Sequence, residues 1–249
     1  MRIPHLLSHQ ALPPPESAWG ASDPLPGLLA IGGELDVRRL VEAYSHGIFP
    51  WFGPAEPTLW WSPDPRMVLR PEAFRLHRSL RKTIRRFADA ERCEIRIDHD
   101  FAAVMAACSS IARPRQNGTW IVPRMQKAYT ELHRAGHAHS VETWIDGALA
   151  GGLYCVNIGR SVFGESMFAH RTDASKIALA ALVAFCLRHG VRMIDCQQNT
   201  AHLASLGARE IPRAEFLRVV AEERAEPAPR WRFDPAFWQA LPGMEESAR

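Results

Sequence analysis

A carboxylate and a carboxamide stand two positions apart near the C-terminus of this 249-residue chain. Asp195 and Gln197 follow an apolar run that ends at Ile194, as expected at the end of a buried strand. On an extended strand, residues two positions apart point to the same face. Asp195 and Gln197 are therefore predicted to lie on one face of the sheet, with Cys196 on the opposite face. A carboxylate can orient and polarise an amide, whose oxygen can then accept a hydrogen bond from an attacking amine. The alternative is a strand end whose polar residues only meet solvent.

A run of basic side chains lies between Glu72 and Asp89 with no acidic residue among them. Arg78, Arg85 and Arg86 belong to this run, whose spacing of three to four places basic groups along one face of a predicted helix. Like charges this dense repel one another unless an anion binds them, and nucleic-acid phosphates are the natural partner. The alternative is a solvated helix face.

Several tryptophans occur in Gly/Pro-rich or loop-like contexts, among them Trp51, Trp60, Trp61 and Trp120. Aromatic faces hold unstacked bases, at roughly 1 to 3 kcal/mol per base. This pattern favours a role in binding a nucleic-acid end. For any single tryptophan, packing in the core of a small domain is the competing interpretation.

Two further patterns bear on the chemistry. Glu165 follows a glycine at the end of a predicted strand, where a carboxylate could receive a cationic or amino group. His137 and His139 could chelate a metal from one strand, but no third ligand stands at the required spacing. No metal site is therefore predicted, and these histidines are interpreted as structural.

Composition limits the class of protein. Hydrophobic residues make up 47% and charged residues 23%, as in ordinary globular proteins. A net charge of +3 means that any affinity for nucleic acid must come from a local patch. Five scattered cysteines without a C-x-x-C pair indicate a reduced cytoplasm rather than a disulfide framework or zinc site. No signal peptide is expected, and the longest apolar run, over 177–187, is too short to span a bilayer.

Two domains are predicted. Residues 1–64 are rich in Pro, Gly and Trp, which indicates a small N-terminal α/β domain with short elements. Asp36 is placed to cap a helix there. Residues 65–249 are the second predicted domain, in which helices alternate with strands. The fold class is therefore α+β, with a mixed sheet and flanking helices.

The larger domain contains three consecutive predicted strands, over 138–145, 148–158 and 161–168, of which the first two are joined by a hairpin turn at Asp146 and Gly147. A long apolar helix, capped by Asp173 and ended by Gly190, and a strand over 192–197 follow. This order resembles acetyltransferases of the GNAT type. In that fold, a glycine-containing loop before the helix holds the pyrophosphate of coenzyme A. The corresponding loop here, over 168–176, contains no glycine, so a coenzyme A thioester is not the expected acyl donor.

Longer motifs point to one family. They are Gly27–Ala30 with Gly32 and Gly33, Gly47–Phe52, Leu59–Arg66, Gly118–Ile121, His137–Glu142, Gly151–Tyr154, Gly164–Phe168, Ala174–Lys176, Ile194–Gln197 and His202–Ala208. In this order and over nearly the whole chain, they resemble the leucyl/phenylalanyl-tRNA–protein transferase family. Two positions depart from the family pattern: Val162 stands where Phe is expected, and Cys155 where Gly is expected.

The resemblance implies a GNAT-like larger domain and a cytoplasmic, monomeric enzyme without a cofactor. It would transfer Leu, Phe and less readily Met from aminoacyl-tRNA to proteins beginning with Arg or Lys, marking them for N-degron degradation. The resemblance implies that Asp195 and Gln197 are the catalytic pair, together with Glu165. It implies that Trp51 and Trp120 bind the terminal adenosine, and that the donor side chain contacts Leu153, Val162, Leu182 and Ile194. The acceptor stem would contact Arg78, Arg85 and Arg86.

Two other functions compete with this interpretation. A small-molecule N-acyltransferase using coenzyme A would need the glycine loop that is missing. A non-catalytic RNA-binding protein would use the basic helix and the tryptophans, but it would leave Asp195 and Gln197 without a role.

Overall fold

The structure is a computed structural model that describes residues 3–110 and 121–244. The strands are β1 (His5–Leu6), β2 (Leu28–Gly32), β3 (Phe49–Pro50), β4 (Leu59–Trp61), β5 (Arg66–Leu69), β6 (Cys93–Ile97), β7 (Ala138–Ile145), β8 (Ala148–Ile158), β9 (Ser161–Ala169), β10 (Ile194–Gln197) and β11 (Arg209–Ile211). The helices are α1 (Val37–Ser45), α2 (Arg78–Ala88), α3 (Phe101–Ser110), α4 (Pro123–Arg134), α5 (Ala174–His189), α6 (Ala201–Ser205) and α7 (Arg213–Glu223). In this part of the chain no helix is both long and apolar enough to cross a bilayer.

The strands form two sheets. The larger has seven strands in the order β11-β5-β10-β9-β8-β7-β6, and the smaller has four in the order β1-β2-β4-β3. Strands β6 to β9 are antiparallel neighbours, whereas β10 runs parallel to β9. A parallel pair requires a crossover, which α5 supplies here. The expected mixed sheet with helices is confirmed.

The meander follows from local turn chemistry. Asp146 and Gly147 both have positive φ, 55° and 75°, as a two-residue hairpin turn between β7 and β8 requires. Alternating side chains of β8 then reach opposite faces. Tyr154 packs into one apolar cluster, whereas Leu153 and Cys155 pack into another. The sheet is therefore buried on both faces.

Two predicted helix caps have different outcomes. The Asp36 carboxylate accepts a hydrogen bond from the Arg39 N–H at 2.7 Å, which confirms the cap of α1. The predicted Asp173 cap of α5 is wrong. Asp173 is left-handed, with φ 63°, and its carboxylate accepts from Lys176 Nζ at 2.8 Å rather than from a backbone amide. At the other end Gly190 is left-handed, with φ 67°, as predicted.

The apolar core is continuous across the predicted domain boundary. The first cluster joins Leu40, Tyr44 and Trp60 to Phe163 and Phe216, which come from far along the chain. The division at residue 64 stays a prediction, as does the comparison with GNAT-type acetyltransferases. What the structure shows is that the N-terminal segment packs directly on the face of the larger sheet.

Candidate active site

A cavity of about 250 Å³ lies where β9 and β10 separate, between α5 and α6. Its apolar wall is formed by Leu153, Met167, Leu179, Leu182, Ile194 and Leu203. Its polar end carries Glu165, Asp195 and Gln197. The cavity therefore combines an apolar compartment with a small group of polar side chains, which is the usual composition of a small-molecule site.

Two β-bulges create the polar end. In the β8–β9 pair, Tyr154 lies opposite Ser166 and Cys155 opposite Gly164, so Glu165 is the extra residue. A second register shift in the β10–β5 pair leaves Cys196 as the extra residue between Asp195 and Gln197. Bulges bend a strand and redirect its side chains, and they are common beside active sites. The two bulges lie on neighbouring strands and bring Glu165 and Gln197 together.

Among the residues that the structure describes, three donate hydrogen bonds to the Glu165 carboxylate. Gln197 Nε2 donates to Oε1 at 3.0 Å, and the Tyr44 hydroxyl donates to the same oxygen at 2.6 Å. The Tyr129 hydroxyl donates to Oε2 at 3.3 Å and also contacts the hydroxyl of Tyr44. The network fixes both the carboxylate and the carboxamide in one orientation.

The electrostatics of this network favour proton exchange near neutrality. Burial raises the pKa of Glu165 to about 7; the hydrogen bond from Tyr44 opposes this shift, and the negative charge of Asp195 adds to it. Burial and the neighbouring Glu165 raise the pKa of Tyr44 and Tyr129 well above the usual tyrosine value. Both tyrosines therefore keep their protons as donors, while Glu165 can gain or lose one.

Asp195 is engaged elsewhere. Its two oxygens accept from Arg66 Nε at 2.8 Å and Arg66 Nη2 at 2.6 Å, and both side chains are buried. Its Oδ1 also accepts from the backbone N–H of Gln197 at 2.8 Å. Asp195 was expected to orient the Gln197 side-chain amide. That expectation is wrong, because the bulge and a positive φ of 58° at Gln197 turn the amide towards Glu165 instead.

The Cys196 side chain packs against the apolar cluster that contains Leu153 and Cys155, whereas the Asp195 carboxylate pairs with Arg66, whose guanidinium lies over Phe49 and Phe216. Phe49 and Phe216 belong to the other cluster, so Cys196 and Asp195 face opposite sides of the sheet, as predicted.

The structure brings together some of the predicted substrate contacts and not others. Leu153, Leu182 and Ile194 line the cavity, as expected for a donor pocket. Val162 is buried opposite Ile194 in the β9–β10 pair but is not among the residues that line the cavity. Trp51 does not line it either, and packs edge-on against Trp61 at 5.7 Å between ring centroids. Trp120 lies outside the described residues.

The predicted basic helix is α2, and its position bears on the cavity. Arg78, Arg85 and Arg86 are exposed, while Leu80, Ile84 and Phe87 of the same helix are buried. The segment that leads into α2 is held at the end of α6, which walls the cavity. Arg75 N–H donates to Leu206 O at 2.9 Å, and His77 Nε2 lies 3.0 Å from Ser205 O. Basic charge therefore begins directly beside the cavity wall.

Sequence reasoning missed Tyr44, Tyr129 and Arg66. Nothing in the periodicity of α1 or α4 distinguishes a tyrosine that donates to a carboxylate from one that packs in the core. Arg66 left a weak signal, because a cation directly before the apolar run Met67–Leu69 must either remain exposed or find a carboxylate.

The histidine pair has other contacts. His139 Nδ1 lies 2.6 Å from Asp98 Oδ2, and its ring stacks on Trp231 with centroids 4.1 Å apart. Over residues 3–110 and 121–244, no group of three His, Cys, Asp or Glu is placed to hold a metal ion.

Comparison with known proteins places this chain in a family. The model of the leucyl/phenylalanyl-tRNA protein transferase family matches residues 68–221, and the model of its N-terminal domain matches residues 33–64. A leucyl/phenylalanyl-tRNA–protein transferase of Polaromonas sp. strain JS666 is 61% identical over 96% of this chain and 94% of its own. One of Albidiferax ferrireducens is 60% identical over the same shares.

A solved structure of a functionally unknown conserved protein from Staphylococcus epidermidis is also similar to this chain. The match covers 74% of this chain and 68% of the Staphylococcus epidermidis chain, with 9% sequence identity. The TM-score of 0.36 is too low to define a shared fold.

The chain has a cavity that joins an apolar wall to an amide and a titratable carboxylate, and the family models that match the chain define a transferase that acts with tRNA and protein. The chain belongs to the leucyl/phenylalanyl-tRNA–protein transferase family. Enzymes of this family transfer an aminoacyl group from tRNA to protein.

Proposed function

We propose that this enzyme transfers Leu, Phe and, less readily, Met from aminoacyl-tRNA to the N-terminal α-amino group of proteins that begin with Arg or Lys. The observation that carries this proposal is the apolar cavity that ends at the hydrogen-bonded pair of Gln197 and Glu165. The product has a new N-terminal Leu, Phe or Met, which marks it for N-degron degradation. The enzyme acts as a monomer in the cytoplasm.

The reaction is an exchange of an ester for an amide. The acceptor nitrogen forms a bond to the ester carbonyl carbon, and the bond from that carbon to the ribose oxygen breaks. The ribose oxygen takes up the proton that the amine gives up. Because the ester is already activated, the protein's main task is to place a neutral amine against the carbonyl.

Gln197 and Glu165 divide that task. Gln197 Nε2 is fixed on Glu165, so its side-chain carbonyl oxygen is oriented to accept a hydrogen bond from the incoming amine. Glu165, with a pKa of about 7, accepts the proton that the amine sheds and returns it to the leaving ribose oxygen. Its negative charge also attracts the positive charge of the acceptor. Asp195 contributes through its hydrogen bond to the Gln197 backbone.

The apolar wall selects the donor. A cavity of about 250 Å³ lies below the range of roughly 300 to 1,000 Å³ that holds drug-sized ligands, and it suits a single apolar side chain. Leu153, Leu182 and Ile194 supply part of this wall. Trp51 and Trp120 hold the terminal adenosine in this proposal, and Arg78, Arg85 and Arg86 contact phosphates of the acceptor stem.

Enlarging the cavity should change the donor preference. In Leu182→Ala the larger cavity should favour Phe over Leu, raising the ratio of the two kcat/KM values by about 10-fold, since each methylene in an apolar pocket is worth about 10-fold or more. Val162→Ala is the matched control, because it removes methyl groups from a buried residue that does not line the cavity. Equal ratios in the two variants would contradict the assignment of the wall.

Neutralising the basic helix should weaken tRNA binding. Arg85→Ala/Arg86→Ala should raise the Kd for tRNA and reduce the slope of log K against log salt concentration by about 2. The control, Lys127→Ala/Arg218→Ala, removes the same charge from two exposed residues that already pair with Glu131 and Glu222. A salt titration that gives the same slope for the double variant and the unaltered enzyme would remove the phosphate contacts from the proposal.

One assay tests the function as a whole. Leu-tRNA labelled on the amino acid is mixed with the enzyme and a peptide that begins with Arg, and labelled peptide is expected. Two control peptides, one with an acetylated N-terminus and one that begins with Asp, should remain unlabelled. Labelling of the acetylated peptide, or of none of the three, would overturn the proposal.

A further inference from the structure

Arg66 is a buried cation at the first position of β5, next to the candidate active site. Its side chain has no exposure to solvent, and its guanidinium lies over the rings of Phe49 and Phe216, 4.7 and 4.4 Å from their centroids. A charged group is rarely enclosed in this way unless a carboxylate compensates it. Asp195, itself only 1% exposed, is that carboxylate.

The contact between the two is bidentate and therefore fixes the plane of the carboxylate. Arg66 Nε donates to Asp195 Oδ1 at 2.8 Å, and Arg66 Nη2 donates to Oδ2 at 2.6 Å. The same Oδ1 accepts from the backbone N–H of Gln197 at 2.8 Å. Both Asp195 oxygens are thus in use, and neither is oriented towards the Gln197 side-chain amide.

Gln197 needs such a hold because its backbone conformation is unusual. Its φ of 58° lies in the left-handed region, which residues other than glycine occupy uncommonly. It also follows the extra residue of the β10 bulge, where the ladder of backbone hydrogen bonds is interrupted. From this conformation its Nε2 reaches Glu165 Oε1 at 3.0 Å.

We propose that Arg66 is a positioning residue for aminoacyl transfer. Its guanidinium fixes the Asp195 carboxylate, which holds the Gln197 backbone in the left-handed turn that directs the Gln197 amide to Glu165. The inference rests on the proposed function, because it assumes that Gln197 guides the amine. It also gives Asp195 a role: the carboxylate acts through the backbone of Gln197 and does not carry the proton.

Three variants test this role by the transfer of labelled Leu from tRNA to an Arg peptide. Arg66→Met should lower kcat by about 100-fold, the loss expected from a misplacement of about 1 Å, with KM for Leu-tRNA within about twofold. Arg66→Lys keeps the charge without the bidentate contact and should lose less. Arg66→Met/Asp195→Leu replaces the buried pair by apolar side chains, which often preserves stability, and should lose as much kcat as Arg66→Met.

Arg39→Met is the matched control. Arg39 is also a fully buried arginine, but it binds Glu42 and the backbone carbonyls of Ser8 and Gln10, away from the cavity. Its loss should lower the melting temperature and leave kcat unchanged. A merely structural role of Arg66 predicts the same result for the folded Arg66 variants.

The outcomes separate two failures. If the unaltered enzyme makes no labelled peptide, the proposed function fails. If the unaltered enzyme does make labelled peptide, the kinetics of the folded variants decide on Arg66. The positioning role fails if Arg66→Met or the double variant has the kcat of the unaltered enzyme, or if the variant loses only affinity for Leu-tRNA. Should Arg66→Met not fold, the double variant and Arg66→Lys decide the question, with low kcat at normal KM as the supporting result.

Discussion

Replacing Gln197 by Ala is expected to lower kcat for aminoacyl transfer by about 100-fold or more, within the range that one positioned proton-transfer or dipolar group supplies. The amide would no longer accept from the incoming amine, and Glu165 would lose one of its three donors. The apolar wall and the basic helix are unchanged in this variant. The Kd for Leu-tRNA should therefore stay within about twofold of its original value.

Single-turnover transfer from pre-bound Leu-tRNA measures this loss directly, and a filter-binding titration measures the Kd. Gln198→Ala is the matched control, because Gln198 is the exposed neighbour and does not line the cavity. Asp195→Ala should also lose transfer and retain tRNA binding, since it releases the Gln197 backbone. Normal turnover in the Gln197 variant would remove the amide from the mechanism.

Glu165→Gln is expected to abolish the pH dependence of two properties at once. With a pKa of about 7, Glu165 should make kcat of the unaltered enzyme rise with pH through neutrality, as the carboxylate becomes available to accept a proton. The variant keeps the size of the side chain and has no titratable group. Its residual kcat should be at least about 100-fold lower and show no inflection near pH 7.

The stability of the unaltered enzyme should change with pH in the opposite direction from its kcat. Below pH 4.5 the carboxyl is protonated in both folded and unfolded chains, so it contributes no pH dependence. Between pH 4.5 and about 7 the unfolded chain releases its proton first, so the unaltered enzyme loses stability as the pH rises. Above pH 7 this loss is complete, and at most it reaches about 3 kcal/mol.

Urea unfolding at pH 5, 6, 7 and 8 tests this expectation. The free energy of unfolding of Glu165→Gln relative to the unaltered enzyme should increase along that series and level off above neutrality. Asp173→Asn is a suitable control, since that acid lies in a half-buried ion pair with Lys176 and does not line the cavity. A stability difference that is constant with pH would mean that the pKa of Glu165 is not raised.

Much of the secondary structure could be predicted because its causes are local. The strands over 138–145 and 148–158 were predicted with their observed bounds, since alternation and the Asp146-Gly147 turn lie within one short window. The buried helix α5 was predicted from its continuous apolar run. The predicted Asp173 cap was wrong because the loop conformation determines whether the carboxylate binds a nearby lysine or a backbone amide. Composition does not specify that conformation.

The site was predictable only in part, for a related reason. Glu165, Gln197 and three apolar lining residues could be chosen from motifs, but the partners of the polar groups are distant in sequence. Tyr44 is 121 residues from Glu165, and Arg66 is 129 residues from Asp195. Strand alternation also gave the wrong partner for the Gln197 amide, because a bulge breaks the period of two on which it depends.

The continuous core has a consequence for the way this enzyme can be divided or recombined. Tyr44 lies in the N-terminal segment, and its hydroxyl donates a hydrogen bond to the carboxylate of Glu165 on β9 of the larger sheet. A fragment that starts after residue 64 would keep the apolar wall but lack this donor and the ring that packs on Phe163. Chimeras that exchange the first 64 residues between homologues should therefore be active only when both sides of this junction come from compatible parents.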